Sequence, residues 1–158
     1  MAKRVTIDVE IVVADWDDPD GIALRAAQRA DIDDRYGNST HEPGGAPSGA
    51  EISVFLIARD GDGIACGCGA LRQLDAGSAE IKRMYVAPER RGAGVSTAIL
   101  NALEQHARAR HWTTLRLETG SLLPEAMRFY EREGFRRIPN YGIYIGAEDS
   151  ICYEKHLV

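Results

Sequence analysis

The 158-residue sequence predicts an α/β fold: a mixed, largely antiparallel central sheet flanked by helices. Three observations predict it. Strand-like and helix-like segments follow one another as β, α, loop, β, β, β, α, β, α, β, β. The middle strands are joined by tight turns, which suit antiparallel neighbours and argue against a Rossmann arrangement. The stretch from Glu80 to Leu100, EIKRMYVAPERRGAGVSTAIL, reads as a strand, a turn rich in glycine and arginine, and a helix. The first N–H groups of a helix have no partners within it and carry partial positive charge, so this stretch is a place for a phosphate.

In chain order, Val5 to Ala14 is apolar and β-branched, with acids at Asp8 and Glu10, and reads as the first strand. Asp18 followed by Pro19 is a helix start, the aspartate capping and the proline at the first helical position. Ile22, Ala23, Ala26, Ala27 and Ala30 then recur at helical spacing up to about Asp34. Tyr36 to Ala50 is a glycine- and proline-rich loop, long enough to be functional. Ile52 to Ala58 is a strand, Asp60-Gly61-Asp62-Gly63 a hairpin turn, and Ile64 to Leu74 the returning strand. On that strand Gly67 and Gly69 share a face with Ala65 and Leu71, so another element should pack closely there. Asp75 to Ser78 turns the chain into the strand Ala79 to Val86. From Gly94 to Arg110 a stripe of Val95, Ile99, Ala102, Leu103 and His106 or Ala107 marks a helix, with Asn101, Glu104, Gln105 and Arg108 facing away. Thr113 to Thr119 is a strand. Pro124 opens a helix carrying Ala126, Phe129 and Tyr130, and Gly134 closes it. Phe135 to Ile138 and Ile151 to Leu157 close the sheet.

Length fits one domain over residues 1–158, and neither repeats nor low-complexity tracts interrupt it. A net charge of −5 lacks the footprint of a nucleic-acid binder, whereas Arg83, Arg90 and Arg91 cluster locally, which suits a small anion. No apolar run approaches a membrane span, and no h-region follows Met1-Ala-Lys-Arg, so no membrane or secretory role is expected. Cys66, Cys68 and Cys152 are odd in number and lack a framework spacing, which points to reduced thiols and a cytoplasmic protein. Cys66 and Cys68, two apart in a strand, should point to the same face. His106 and His111 do not share a helical face, so no metal site is expected.

In the turn Arg91-Gly92-Ala93-Gly94, two glycines let the backbone approach a bulky anion and Arg91 adds a charge-assisted donor. The run Val86 to Gly94 resembles the acetyl-CoA-binding motif of the GCN5-related N-acetyltransferases. That signature, Gln or Arg, two residues, Gly, one residue, then Gly or Ala, falls here on Arg91, Gly94 and Ser96. Ala126 to Phe135 is similar to the family's later helix, with Leu123 where an asparagine is common.

The resemblance implies an enzyme of the acyl-CoA N-acyltransferase fold. It would carry acetyl from acetyl-CoA, a cosubstrate needing no metal, to a primary amine of a small molecule or peptide. It implies cofactor binding by Met84, Tyr85, Val86, Arg91, Gly92, Ala93, Gly94, Val95 and Ser96. The Met84 N–H would polarise the thioester and the Val86 main chain would hold the pantetheine. Glu80 stands where the family usually carries a base acting through water; the alternative is a surface glutamate paired with an arginine. Tyr130 is the candidate acid for the departing thiolate; the alternative is a core aromatic, which Phe129 fits better. Arg128 and Arg132 either reach the phosphates or form a solvated helix face. Glu118 is structural or a second carboxylate. Tyr36, the loop to Ala50, Tyr141 and Tyr144 are candidate acceptor walls, and Asp31, Asp33, Asp34 and Glu42 could draw a cationic amine. Dimers are common among the proteins this chain resembles, so a homodimer is one expectation. A CoA-binding regulatory or scaffolding module without turnover, or a transferase for a longer acyl group, are the alternatives.

Overall fold

The computed structural model describes residues 6–38 and 45–158. Seven strands, β1 (Glu10–Val13), β2 (Val54–Arg59), β3 (Ala65–Gln73), β4 (Ser78–Val86), β5 (Thr114–Gly120), β6 (Arg136–Ile138) and β7 (Ser150–His156), form one sheet in the order β1-β2-β3-β4-β5-β7-β6. Among the described residues only β4 and β5 run parallel, which the intervening helix α2 (Val95–Ala109) permits. β7 enters between β5 and β6, so the last strand in sequence is not at the edge.

Helix α1 (Pro19–Tyr36) starts as its sequence implies: the Asp18 carboxylate accepts from the Asp20 N–H at 2.9 Å, and Gly37 ends it in the left-handed region. Its buried face is Gly21, Leu24 and Gln28, not the alanine stripe, and Ile22 is about half exposed. Alanines bury little area, so the one leucine sets the helix's rotation. α1 lies on one face of the sheet, over a cluster of Leu24, Phe55, Ile57, Cys68 and Ala70. On the other face α2 and α3 (Pro124–Arg132) share a larger cluster that includes Leu56, Leu71, Ile81, Val95, Ile99, Leu103, Leu117 and Tyr153.

Several expectations change here. β1 pairs only from Glu10 to Val13, and Val5 lies outside the described residues, as do Ser39 to Gly44, with Glu42, in the loop after α1. Cys66 belongs to the α2-side cluster and Cys68 to the α1-side cluster, so they do not share a face. A bulge explains this: Ala58 pairs with Gly67 but Arg59 with Ala65, leaving Cys66 as the extra residue and turning Ala65 away from Gly67. Glu104 faces inward and pairs with Lys155 of β7 at 2.9 Å.

The glycine face of β3 receives α2 closely, as expected. A Cβ at Gly67 would stand 2.9 Å from both Ile99 Cδ1 and the Tyr85 carbonyl. Gly67→Ala is therefore expected to cost about 1–3 kcal/mol by overpacking, several degrees of Tm. A thermal melt superimposable on the wild type would show that the sheet and helix yield freely there.

Candidate active site

β4 contains a second bulge. Cys68 pairs with Tyr85 and Ala70 with Lys82, so Arg83 and Met84 together oppose Gly69. Arg83 sits at φ 58°, in the left-handed region that a side chain rarely adopts. The bulge inverts the alternation along the strand. Ile81, Met84 and Val86 pack on the α2 side, while Tyr85 packs on the α1 side. Glu80 and Lys82 therefore do not share a face with Met84 and Val86, as unbroken alternation would have required.

β4 and β5 pair from Ser78 and Thr114 only as far as Ile81 and Leu117. Beyond that point the strands separate, and a cavity of about 520 Å³ opens between them. Lys82 to Val86 form one wall; Glu118, Thr119 and Gly120 of β5 form the other. One end is closed by the turn Arg90 to Gly94 and the start of α2, with Val95, Ser96 and Thr97. Leu123 and, from α3, Ala126, Arg128, Phe129, Tyr130 and Arg132 lie across it. Gln28, Arg29, Asp31, Ile32 and Tyr36 bring α1 to it, with Tyr144 and Ser150 beyond.

The glycine turn has the shape an anion needs. Gly92 and Gly94 stand at φ 79° and 87°, and Gly94, the N-cap of α2, supplies no side chain to the first-turn N–H groups. Arg91 is held against the strand: its Nε donates to the Val86 carbonyl at 2.9 Å, and its Nη2 lies 3.6 Å from Asp31 of α1. Asp31 is thus tied to the glycine turn. Arg128 and Arg132 project from the same side of α3 into the cavity lining.

Tyr130 also lines the cavity, 7% exposed and packed edge-on against Phe129 and Phe135. It is the more buried of the adjacent pair, the reverse of the expected division with Phe129. Burial pushes its phenol above the ordinary tyrosine value.

Glu80 is fully buried and does not line the cavity. Its carboxylate accepts from the Tyr141 hydroxyl at 2.6 Å and from Arg72 Nε at 3.2 Å, with Lys82 Nζ 3.7 Å away. Lys82 donates to the Tyr144 hydroxyl at 3.0 Å, and Lys82 and Tyr144 both line the cavity. Burial first, then the Glu80 charge, raises the phenols of Tyr141 and Tyr144. Glu118 does line the cavity and accepts from Ser150 Oγ at 2.6 Å. Among the described residues no three His, Cys, Asp or Glu side chains group to hold a metal, and no helix is long and apolar enough to cross a membrane. The three cysteines are buried and unpaired with one another.

Two groups in the site, Gln28 and Lys82, were not singled out in the sequence, whereas Tyr36 was expected as an acceptor wall and does line the cavity. Gln28 of α1 donates from Nε2 to the Met84 carbonyl at 2.9 Å. Tyr36 receives the Leu122 N–H at 3.3 Å, and Arg35 pairs with Glu125, so the end of α1 reaches the β5–α3 connection. Lys82 links Glu80 to the cavity. The signal for Gln28 was present: Gly21, Leu24 and Gln28 recur at helical spacing, but a polar residue on a buried stripe is easily passed over.

A family model described as an acetyltransferase (GNAT) domain matches residues 51–137, more than half of the chain. An IAA acetyltransferase of Azospirillum brasilense is 36% identical over 104 residues, 65% of this chain and 67% of its own. A structure from Klebsiella pneumoniae subsp. pneumoniae, assigned as an acyl-CoA N-acyltransferase, superposes with a TM-score of 0.82 at 32% identity, covering 95% of this chain and 98% of that one. A GNAT family acetyltransferase from Elizabethkingia anophelis, solved with acetyl-CoA bound, shares the fold with a TM-score of 0.69 at 18% identity, covering 94% of this chain and 98% of that one. The strand order, the separated strands and these similarities define an acyl-CoA-dependent acetyltransferase, and the chain belongs to the GCN5-related N-acetyltransferase (GNAT) family.

Proposed function

We propose that residues 1–158 are one N-acetyltransferase domain that moves acetyl from acetyl-CoA to a primary amine of a small molecule or peptide by direct attack. The observation that carries this reading is the gap between β4 and β5, lined by the glycine turn and by Tyr130. Its donor set fits the donor molecule: uncapped N–H groups and three arginines for phosphates, a strand edge for the amide-bearing pantetheine arm. The edge is organised for this. Alternate residues of a strand turn their N–H and C=O to the same side. The Met84 and Val86 carbonyls are taken by Gln28 and Arg91, which leaves the corresponding N–H groups to the ligand.

In the reaction the protonated amine loses one proton to a carboxylate, and its nitrogen attacks the thioester carbon. The Met84 N–H steadies the negative oxygen. The C–S bond then breaks, the nitrogen sheds its second proton, and the sulfur gains one from Tyr130, which is replenished. Amide and free thiol form, with one net proton released. Glu80 serves as the base through the Tyr144 hydroxyl, which lies on the cavity wall within the field of the Glu80 carboxylate. A second reading gives the role to Glu118, favoured by its place on the wall itself.

The two are separated by pH–rate profiles of Glu80→Gln and Glu118→Gln. At low pH the amine is mostly protonated and needs the base; at high pH it is already neutral. The variant that removes the base is expected to lose activity mainly at low pH, about tenfold or more there. A flat ratio to the wild type across pH would remove that residue from the role. The function itself is tested by CoA thiol release across a panel of polyamines, amino acids, aminoglycosides and peptide N-termini. CoA binding with no release on any of them would favour a binding module. The buried, unpaired thiols suit the cytoplasmic setting proposed here.

A further inference from the structure

Met84 is flanked by two peptide groups, and a side chain from a different element holds each. The carbonyl of Arg83, at the far end of the peptide that carries the Met84 N–H, receives the Cys68 thiol at 3.3 Å. In a trans peptide the C=O and N–H point in opposite directions. A thiol on β3 that fixes the Arg83 carbonyl therefore turns the Met84 N–H away from β3, toward the side β5 has left. The carbonyl of Met84 belongs to the next peptide and receives Gln28 Nε2 at 2.9 Å.

We propose that Gln28 and Cys68 are positioning residues, which lock the two peptides around Met84 so that its N–H is aimed at the acetyl carbonyl. This rests on the reading of the Met84 N–H as the group that polarises the thioester.

Two further observations support it. Arg83 occupies a left-handed conformation without being glycine, a geometry that persists only where surrounding contacts over-determine it. Gln28 is 8% exposed, yet its Oε1 has no hydrogen-bond partner. The amide cannot be turned over to help, because Oε1 would then face the Met84 carbonyl, acceptor against acceptor. A methionine would fill the same space without the orphaned Oε1, but would leave the Met84 carbonyl without its donor. A buried polar group kept at that disadvantage is serving its one bond. Cys68 is equally suited, since burial holds its thiol up to about 12 and keeps it a donor.

The test reads the polarisation directly. Acetyl-CoA labelled with ¹³C at the thioester carbonyl is bound without acceptor, and the carbonyl stretch is measured by difference infrared spectroscopy. The wild type is expected to lower this frequency relative to free acetyl-CoA. Gln28→Met and Cys68→Ala are expected to return much of that shift and to lower kcat about tenfold, a fraction of the loss when an oxyanion donor is removed outright. Acetyl-CoA affinity should stay within about twofold, because the lock acts on the carbonyl and not on the phosphates. Gln28→Met should keep Tm near the wild type, since it removes one unpaired acceptor and leaves another, whereas a purely structural glutamine would show as a lower Tm. Cys68→Ser keeps a donor at the same place and should restore both frequency and kcat relative to Cys68→Ala. Variants with the full wild-type shift and kcat would overturn the inference while leaving the Met84 role standing. A wild type with no shift at all would instead overturn the Met84 role, and the inference with it.

Discussion

Replacing Gly94 by valine is expected to weaken CoA binding about 100-fold while leaving the sheet folded. Gly94 stands at φ 87° as the N-cap of α2, and a Cβ there would come 3.2 Å from Thr6 Cγ2. A β-branched residue cannot hold that angle without strain, so the turn shifts and the first-turn N–H groups swing off the pyrophosphate. Losing two charge-assisted hydrogen bonds at about 1.5 kcal/mol each gives about 3 kcal/mol, or roughly two orders of magnitude in Kd. Isothermal titration with CoA measures this, and a thermal melt reports whether the fold is kept. An unchanged Kd would mean that the pyrophosphate lies elsewhere. The effect on kcat at saturating acetyl-CoA should be small, because the turn is remote from the reacting carbon.

Tyr130→Phe has the opposite signature. It is expected to lower kcat by about 100-fold or more, the usual worth of a positioned proton donor, with little change in acetyl-CoA affinity. Phenylalanine keeps the ring contacts with Phe129 and Phe135, so the larger cluster stays filled. The pH dependence adds a constraint. Because burial raises the phenol above its ordinary value near 10, the neutral, donating form persists through the working range. The ratio of wild-type to variant rates should therefore be the same at pH 7 and pH 9. A ratio that shrinks toward one at pH 9 would mean that another group protonates the thiolate, and full activity would remove Tyr130 from the chemistry.

Much of this was legible in the sequence because it depends on local rules. Asp18-Pro19 starts α1, Asp60 to Gly63 makes a hairpin, and the glycine turn precedes α2. What was hidden depends on register. The residues Lys82-Arg83-Met84 do not themselves announce a bulge; the family resemblance implies one here, and pairing with Cys68 and Ala70 on β3 creates the extra residue. Once it exists, every side chain after it changes face, and Met84 leaves the side of Glu80. The same holds for Cys66, displaced by the bulge opposite Ala58 and Arg59. Glu104 looked solvent-facing on helical spacing alone; its partner Lys155 is 51 residues away on β7. The burial of Glu80 was hidden for the same reason, as Tyr141 closes over it from 61 residues away. Spacing finds the face of an element, but long-range partners decide what a charge on that face does.

The separation of β4 from β5 beyond Ile81 has a consequence for the catalytic cycle. The sheet is open there, and on the proposed function the lining of that seam would be the pantetheine arm of the donor. The donor is in that sense an interchangeable eighth strand, laid in before each turnover and withdrawn after it. Acetyl-CoA and CoA share that arm, so on this reading the seam would grip reactant and product alike. What distinguishes them is the small acetyl group beside the bulge. Turnover then depends on letting go of a strand that fits as well after the reaction as before it.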